Sequence, residues 1–306
     1  MRKVQTAALT AASLLVFGGY YSLGDALDLV PGPVTVAYAD VAPQPFPTPA
    51  GPSAKTTAPA GLDQGAPTPS KASLTGYAQG VASDAALNAV PAGAWRASFS
   101  AQDAGFLKTT WKGPISGIEL DVDVIAPRGY SADDGRTYGV IEALHGFRGS
   151  PSAIIDALGS PEALQRAIDA GRIPPSIIVV PSLNVDSGEH DCANLGGRPA
   201  VATFVAQEVP RMIAATFPNV SRERAAWMVM GLSSGAYCAA WTAIENSDQF
   251  GSAGAISAFN KPIEGGLANS GRWIAEKYTL STMLVEHDPS DTRFYIMGAQ
   301  DDPLGS

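Results

Sequence analysis

The chain has 306 residues, 45% of them hydrophobic and 16% charged, enough to bury a sizeable core in one large domain with extensions. Its net charge of −9 comes without a basic stripe, which argues against nucleic-acid binding, because phosphate neutralisation needs clustered Lys and Arg. The acidity serves solubility. There are three histidines, none spaced as ligand pairs, so a zinc hydrolase is not expected and no metal or cofactor is predicted.

The N-terminus reads as an export signal or membrane anchor over residues 1–40. Met1-Arg2-Lys3 is basic, Val4 to Gly24 carries no charge, and the stretch Ala11 to Phe17 is apolar. Asp25 and Asp28 follow, so the charge bias places everything downstream outside the membrane. Ala37-Tyr38-Ala39 has the form of a cleavage site but lies far from the apolar core, which favours an uncleaved anchor. Membrane contact is expected through this segment alone.

Residues 41–75 are rich in Pro, Ala, Thr, Ser and Gly, with too little apolar area to offset ordering entropy. They read as an extended linker that holds a domain away from the membrane. The mixed texture of 76–97 assigns it to neither neighbour, and the domain is expected over 98–306.

From Ser98 onward, strand and helix signals alternate. Ile118 to Ile125 alternates apolar and acidic residues, the period of a half-exposed strand. Val140 to Leu144 and Ile177 to Val180 are β-branched runs suited to buried parallel strands. Pro161 to Gly171 has helical spacing with a glycine stop, and Ala200 to Phe217 is a longer amphipathic helix that Pro210 should kink. Trp227 to Met230, Ala253 to Ile256 and Phe294 to Met297 supply three more strands. The alternation predicts an α/β fold: a mostly parallel wound sheet with helices on both faces.

A G-x-S-x-G pentapeptide means little alone in a chain with 32 glycines. Here the strand Trp227 to Met230 runs straight into Gly231-Leu232-Ser233-Ser234-Gly235, and a small-residue helix, Ala236 to Ala240, follows at once. That is the setting of a nucleophile elbow, a strained turn whose flanking glycines lift Ser233 above the sheet. The Ser234 amide, at the helix N-terminus, can then face a developing oxyanion. A second loop, Leu144-His145-Gly146-Phe147-Arg148-Gly149, leaves a buried strand. It is expected to supply the other oxyanion amide, that of Phe147 ahead of Arg148, with His145 and Gly146 structuring the loop.

These two motifs, together with Met297-Gly298-Ala299-Gln300-Asp301-Asp302, make the chain from about Ser98 onward resemble the putative-esterase branch of the α/β-hydrolases, which includes esterase D-like enzymes and mycolyltransferases. The resemblance implies an α/β-hydrolase fold and acyl transfer on small-molecule or lipid esters through Ser233. Asp301, or alternatively Asp302, would orient the triad histidine. In the strand order it implies, the Ile177 and Trp227 strands are separated by one other, so the long Cys192 loop must reach across it to meet Cys238. These are the only cysteines, and in an oxidising compartment they are expected to pair.

In this fold the triad runs Ser, Asp or Glu, then His. His145, His190 and His287 all precede Asp301, with His287 expected in a loop before the Phe294 strand, so the triad histidine is expected to be missing, together with the final strand and helix. Activity of residues 1–306 should then be severely impaired. Robust turnover would instead point to His190 or His287 as the base. The rival function is an inactive cell-envelope binding or structural protein of the same fold. A penicillin-binding carboxypeptidase is ruled out, because the chain has no Ser-x-x-Lys.

Overall fold

The computed structural model describes residues 78–79, 81–186, 192–263, 272–287, 289 and 291–298. The apolar segment, the linker, His190, Asp301 and Asp302 lie outside these. Among the described residues no helix is long and apolar enough to cross a membrane.

Ten strands are described: β1 (Ala78–Gln79), β2 (Ser100–Ala101), β3 (Leu107–Lys112), β4 (Glu119–Ile125), β5 (Gly139–Leu144), β6 (Ser176–Pro181), β7 (Asn194–Leu195), β8 (Trp227–Leu232), β9 (Ser252–Ile256) and β10 (Arg293–Met297). Eight form one sheet in the order β10-β9-β8-β5-β6-β4-β3-β2. The five strands from β10 to β6 run parallel, whereas β4, β3 and β2 pair antiparallel. Crossovers join the parallel strands. α1 (Asp84–Ala89) precedes the sheet, α2 (Ser160–Asp169) joins β5 to β6, and α4 (Ser234–Glu245) joins β8 to β9. Between β6 and β8, α3 combines Val201–Thr203, a π-helical Phe204–Glu208 and Val209–Thr216. α5 (Arg272–Lys277) and α6 (Leu280–His287) precede β10.

Alternation along the buried strands divides the core between the two faces of the sheet. Ile177 and Val179 pack with Val205, Ile213 and Trp241 from α3 and α4. Ile178 and Val180 turn the other way, onto Ile155 and Leu164. This is the two-sided covering that a parallel sheet requires. It agrees with the α/β-hydrolase architecture expected above.

Three local expectations change. The expected exposed face of the Ile118 to Ile125 strand holds only in part: Asp121 pairs with Lys108 at 2.7 Å, but Asp123 is 4% exposed. β4 is interior, between β3 and β6, and the π-helical turn Ala153–Ala157 lies over this face. Burial, more than the neighbouring carboxylates of Asp121 and Asp156, raises the Asp123 pKa to about 6. Second, the helix around Pro210 is not α-helical throughout. It opens into a π turn just before the proline, which accommodates the lost N–H and the ring clash with the carbonyl of residue 206. Third, His287 does not sit in a loop. It closes α6, the helix built on Leu280 and the buried Met283, and its side chain is exposed.

The mixed stretch ahead of Ser98 packs against α3. Leu87 is 1% exposed, the Arg211 guanidinium lies 5.9 Å from the Trp95 ring centroid, and the Ala97 N–H donates to Thr216 Oγ1 at 3.0 Å. β1 adds an antiparallel pair with β7, just after Cys192. At the opposite end, β10 borders the sheet with Tyr295, Ile296 and Met297 exposed.

Glu142 occupies the middle of β5, in register with Val179 and Val229 on its two neighbours. It is 1% exposed, and neither carboxyl oxygen has a hydrogen-bond partner in the described structure. Burial alone raises its pKa well above the usual carboxylate value of 4.5. The unfolded chain therefore loses this proton first, and stability should fall as pH rises above about 4.5. The slope approaches roughly 1.4 kcal/mol per pH unit until the folded-state pKa is reached. Glu142→Gln should remove this component. Unfolding free energies from urea titrations at pH 5 and pH 7 should fall less in the variant than in the wild type. Equal slopes in the two proteins would refute a neutral buried Glu142.

Candidate active site

The site forms where the parallel strands end. β8 delivers Ser233 at φ 57°, ψ −122°, a conformation that L-residues rarely adopt, and α4 begins at Ser234. The turn is this tight because its glycines let backbones touch. A Cβ on Gly231 would collide with the Gly235 carbonyl, and one on Gly235 with the carbonyls of Leu144 and His145. The Ser233 N–H donates to the Ile256 carbonyl at 2.9 Å, tying the elbow to the end of β9. The Ser233 side chain is exposed.

The loop after β5 closes over this turn. A Cβ on Gly146 would lie 3.4 Å from Ser233 Cβ and 3.9 Å from Ser233 Oγ, so the glycine leaves room beside the Ser233 side chain. His145 is 1% exposed, and both ring nitrogens meet backbone: Nδ1 lies 2.8 Å from the Gly146 carbonyl, and Nε2 accepts from the Leu183 N–H at 3.0 Å. These partners define a neutral ring with its proton on Nδ1. Burial lowers its pKa, outweighing the Gly146 contact, and neither nitrogen is free to act as a base toward Ser233. Asn184 adds a third tie, donating to the Gly149 carbonyl at 2.7 Å.

Among the described residues, three that are not glycine have positive φ: Arg148 at 59°, Ser233 at 57° and Ser257 at 54°. They follow β5, β8 and β9, three strands that are adjacent in the sheet. Backbone strain held by surrounding structure gathers where a site is built. Ser257 had no sequence signal; only its place beside the elbow brings it into view.

The Phe147 N–H, the expected oxyanion donor, donates to Ser234 Oγ at 2.5 Å. The Phe147 ring is 39% exposed, with the Arg148 guanidinium 5.4 Å from its centroid. Cys192 and Cys238 are joined, with Cα atoms 5.3 Å apart. The chain thus crosses β5, which lies between β6 and β8, to reach the first turns of α4. His287 is exposed at the end of α6, while His190, Asp301 and Asp302 lie outside the described residues. Among the described residues no group of His, Cys, Asp and Glu could hold a metal ion.

Residues 115–306 match the sequence profile of the family described as putative esterase. The chain belongs to that family. Among solved structures, this esterase is similar to a fluorophosphonate-binding serine hydrolase of Staphylococcus aureus, at 18% identity and a TM-score of 0.49, covering 63% of this chain and 78% of that one. An S-formylglutathione hydrolase from Agrobacterium tumefaciens matches at 16% identity and a TM-score of 0.48, over 65% and 77% of the respective chains. A ferulic acid esterase from Anaeromyces mucronatus matches at 15% and 0.43, over 66% and 83%. Among curated proteins the esterase has no match. Family membership supports an activity of the carboxylesterase type.

Proposed function

We propose that this protein is an extracytoplasmic serine carboxylesterase or acyltransferase working through an acyl-enzyme on Ser233. The observation that carries the reading is the Ser233 turn itself: a strained, exposed serine between a strand and a helix N-terminus, with the Gly146-Phe147 loop beside its side chain. Ser233 Oγ bonds to the ester carbonyl carbon, the C–O bond to the alcohol breaks, and the proton lost by the serine ends on the leaving alcohol oxygen. Water or a second alcohol then releases the acyl group. The Ser234 N–H, first in α4 and without a backbone acceptor among the described residues, is placed to receive the carbonyl oxygen. His145 and Gly146 shape the loop and do not take the proton. No base contacts Ser233 among the described residues, and Asp301, or Asp302, is the acid that would orient one. The charge pattern of the first 40 residues supports export, and the substrate is a small-molecule or lipid ester.

A fluorophosphonate probe on the purified protein tests this directly. Ser233→Ala should abolish labelling with the fold unchanged by circular dichroism. It should also remove whatever turnover of a chromogenic ester the unsubstituted protein shows above the uncatalysed rate. Label that survives the substitution, or that maps to Ser234, would remove Ser233 from its role.

A further inference from the structure

We infer that the Ser234 hydroxyl gates the oxyanion hole: it occupies the Phe147 amide in the resting enzyme and must turn away to release that donor to the acyl oxygen. The inference rests on Ser233 being the nucleophile. An amide can stabilise an oxyanion only along its own N–H direction, at about 2.7–3.1 Å. In the structure that direction is already taken, because Ser234 Oγ accepts from the Phe147 N–H at 2.5 Å. The hydroxyl therefore stands where the carbonyl oxygen would have to arrive.

Other contacts leave Ser234 as the movable partner. The Phe147 loop is held by the two ring contacts of His145, by Asn184 on the Gly149 carbonyl, and by a Gly149 N–H bond to the Gly146 carbonyl at 2.9 Å. The Gly146 Cα is also confined, since a Cβ there would lie 3.2 Å from the Leu232 carbonyl. Ser234, by contrast, is half-buried, and its hydroxyl can change rotamer without shifting the helix. Substrate binding must displace one protein hydrogen bond, so the gate costs affinity for the acyl oxygen. Ser234 is thus a positioning residue that sets how open the hole is.

Measuring the rate of covalent labelling by a fluorophosphonate tests this without ester turnover. Its phosphoryl oxygen occupies the oxyanion position while the Ser233 Oγ–P bond forms and fluoride leaves. Ser234→Ala should label about three- to tenfold faster than wild type, the range a single displaced hydrogen bond implies. Ser234→Thr keeps the hydroxyl and should return the rate towards wild type. In parallel, the Phe147 amide, followed by ¹⁵N–¹H NMR, should shift upfield and exchange faster in Ser234→Ala, while Ser234→Thr leaves it unchanged. Equal or slower labelling in Ser234→Ala overturns the gate, and where neither protein labels, a Phe147 amide signal unchanged in Ser234→Ala overturns it. Label that persists in Ser233→Ala defeats the nucleophile assignment instead, and the Phe147 amide signal then reports separately whether Ser234 holds it.

Discussion

Gly235→Ala is expected to destabilise the protein by about 3 kcal/mol or more and to abolish labelling of Ser233. A methyl group at this position meets the backbone carbonyls of Leu144 and His145, not the end of a flexible side chain. Those carbonyls close β5 and open the loop against Ser233, so relief requires moving the strand end, the helix or both. Cores accept an extra carbon poorly even when side chains can yield, and here only backbone is available. For a domain of this size the melting temperature should fall by roughly 6–12 °C. Gly93→Ala is the matched control, since a Cβ there meets nothing within 4 Å. It should stay within about 0.5 kcal/mol of wild type. Similar melting temperatures for the two variants would show that α4 does not pack against the end of β5 as described.

Reduction of Cys192–Cys238 should cost about 4 kcal/mol. The bond closes a loop with a sequence separation of 46, and in the chain-entropy account a loop of that length corresponds to this loss. Both cysteines are buried, at 5% and 2% exposure, so the thiols left behind are poorly solvated but tolerable as small apolar groups. Urea midpoints with and without reductant measure the difference, and a Cys192→Ala/Cys238→Ala double variant should match the reduced protein. Free thiols counted by mass spectrometry in protein exported to an oxidising compartment, or a midpoint insensitive to reductant, would contradict the pairing.

The parallel half of the sheet was legible because β-branched runs such as Ile177 to Val180 have few other uses. The elbow was legible because its glycines flank a serine between a strand and a helix. The pattern misled where tertiary position overruled alternation. Asp123 looks like a surface residue by period, yet β4 lies inside the sheet and a turn covers it. Glu142 sits in an apolar run, and nothing in that run announces a carboxyl group without partners. The packing of Leu87 and Trp95 on α3 was invisible, because the stretch that carries them has no clear period and its partners lie more than a hundred residues away. The site showed the same division. Local motifs located Ser233 and the His145 loop, whereas the bond between Phe147 and Ser234 joins that loop to the start of α4, 87 positions away. No spacing rule reaches that far.

The β1–β7 pair also defines a mechanical path. The polypeptide enters the described fold at Ala78, and its first two residues are laced to Asn194 and Leu195, two positions beyond Cys192. Tension on the leading end of the chain is thus borne first by a two-residue ladder, which shears easily. Behind the ladder stands a covalent link to Cys238, one turn into the helix that begins at Ser234. A pull in flow, or from whatever holds the first 77 residues, would be felt at the base of the elbow before it reached the sheet.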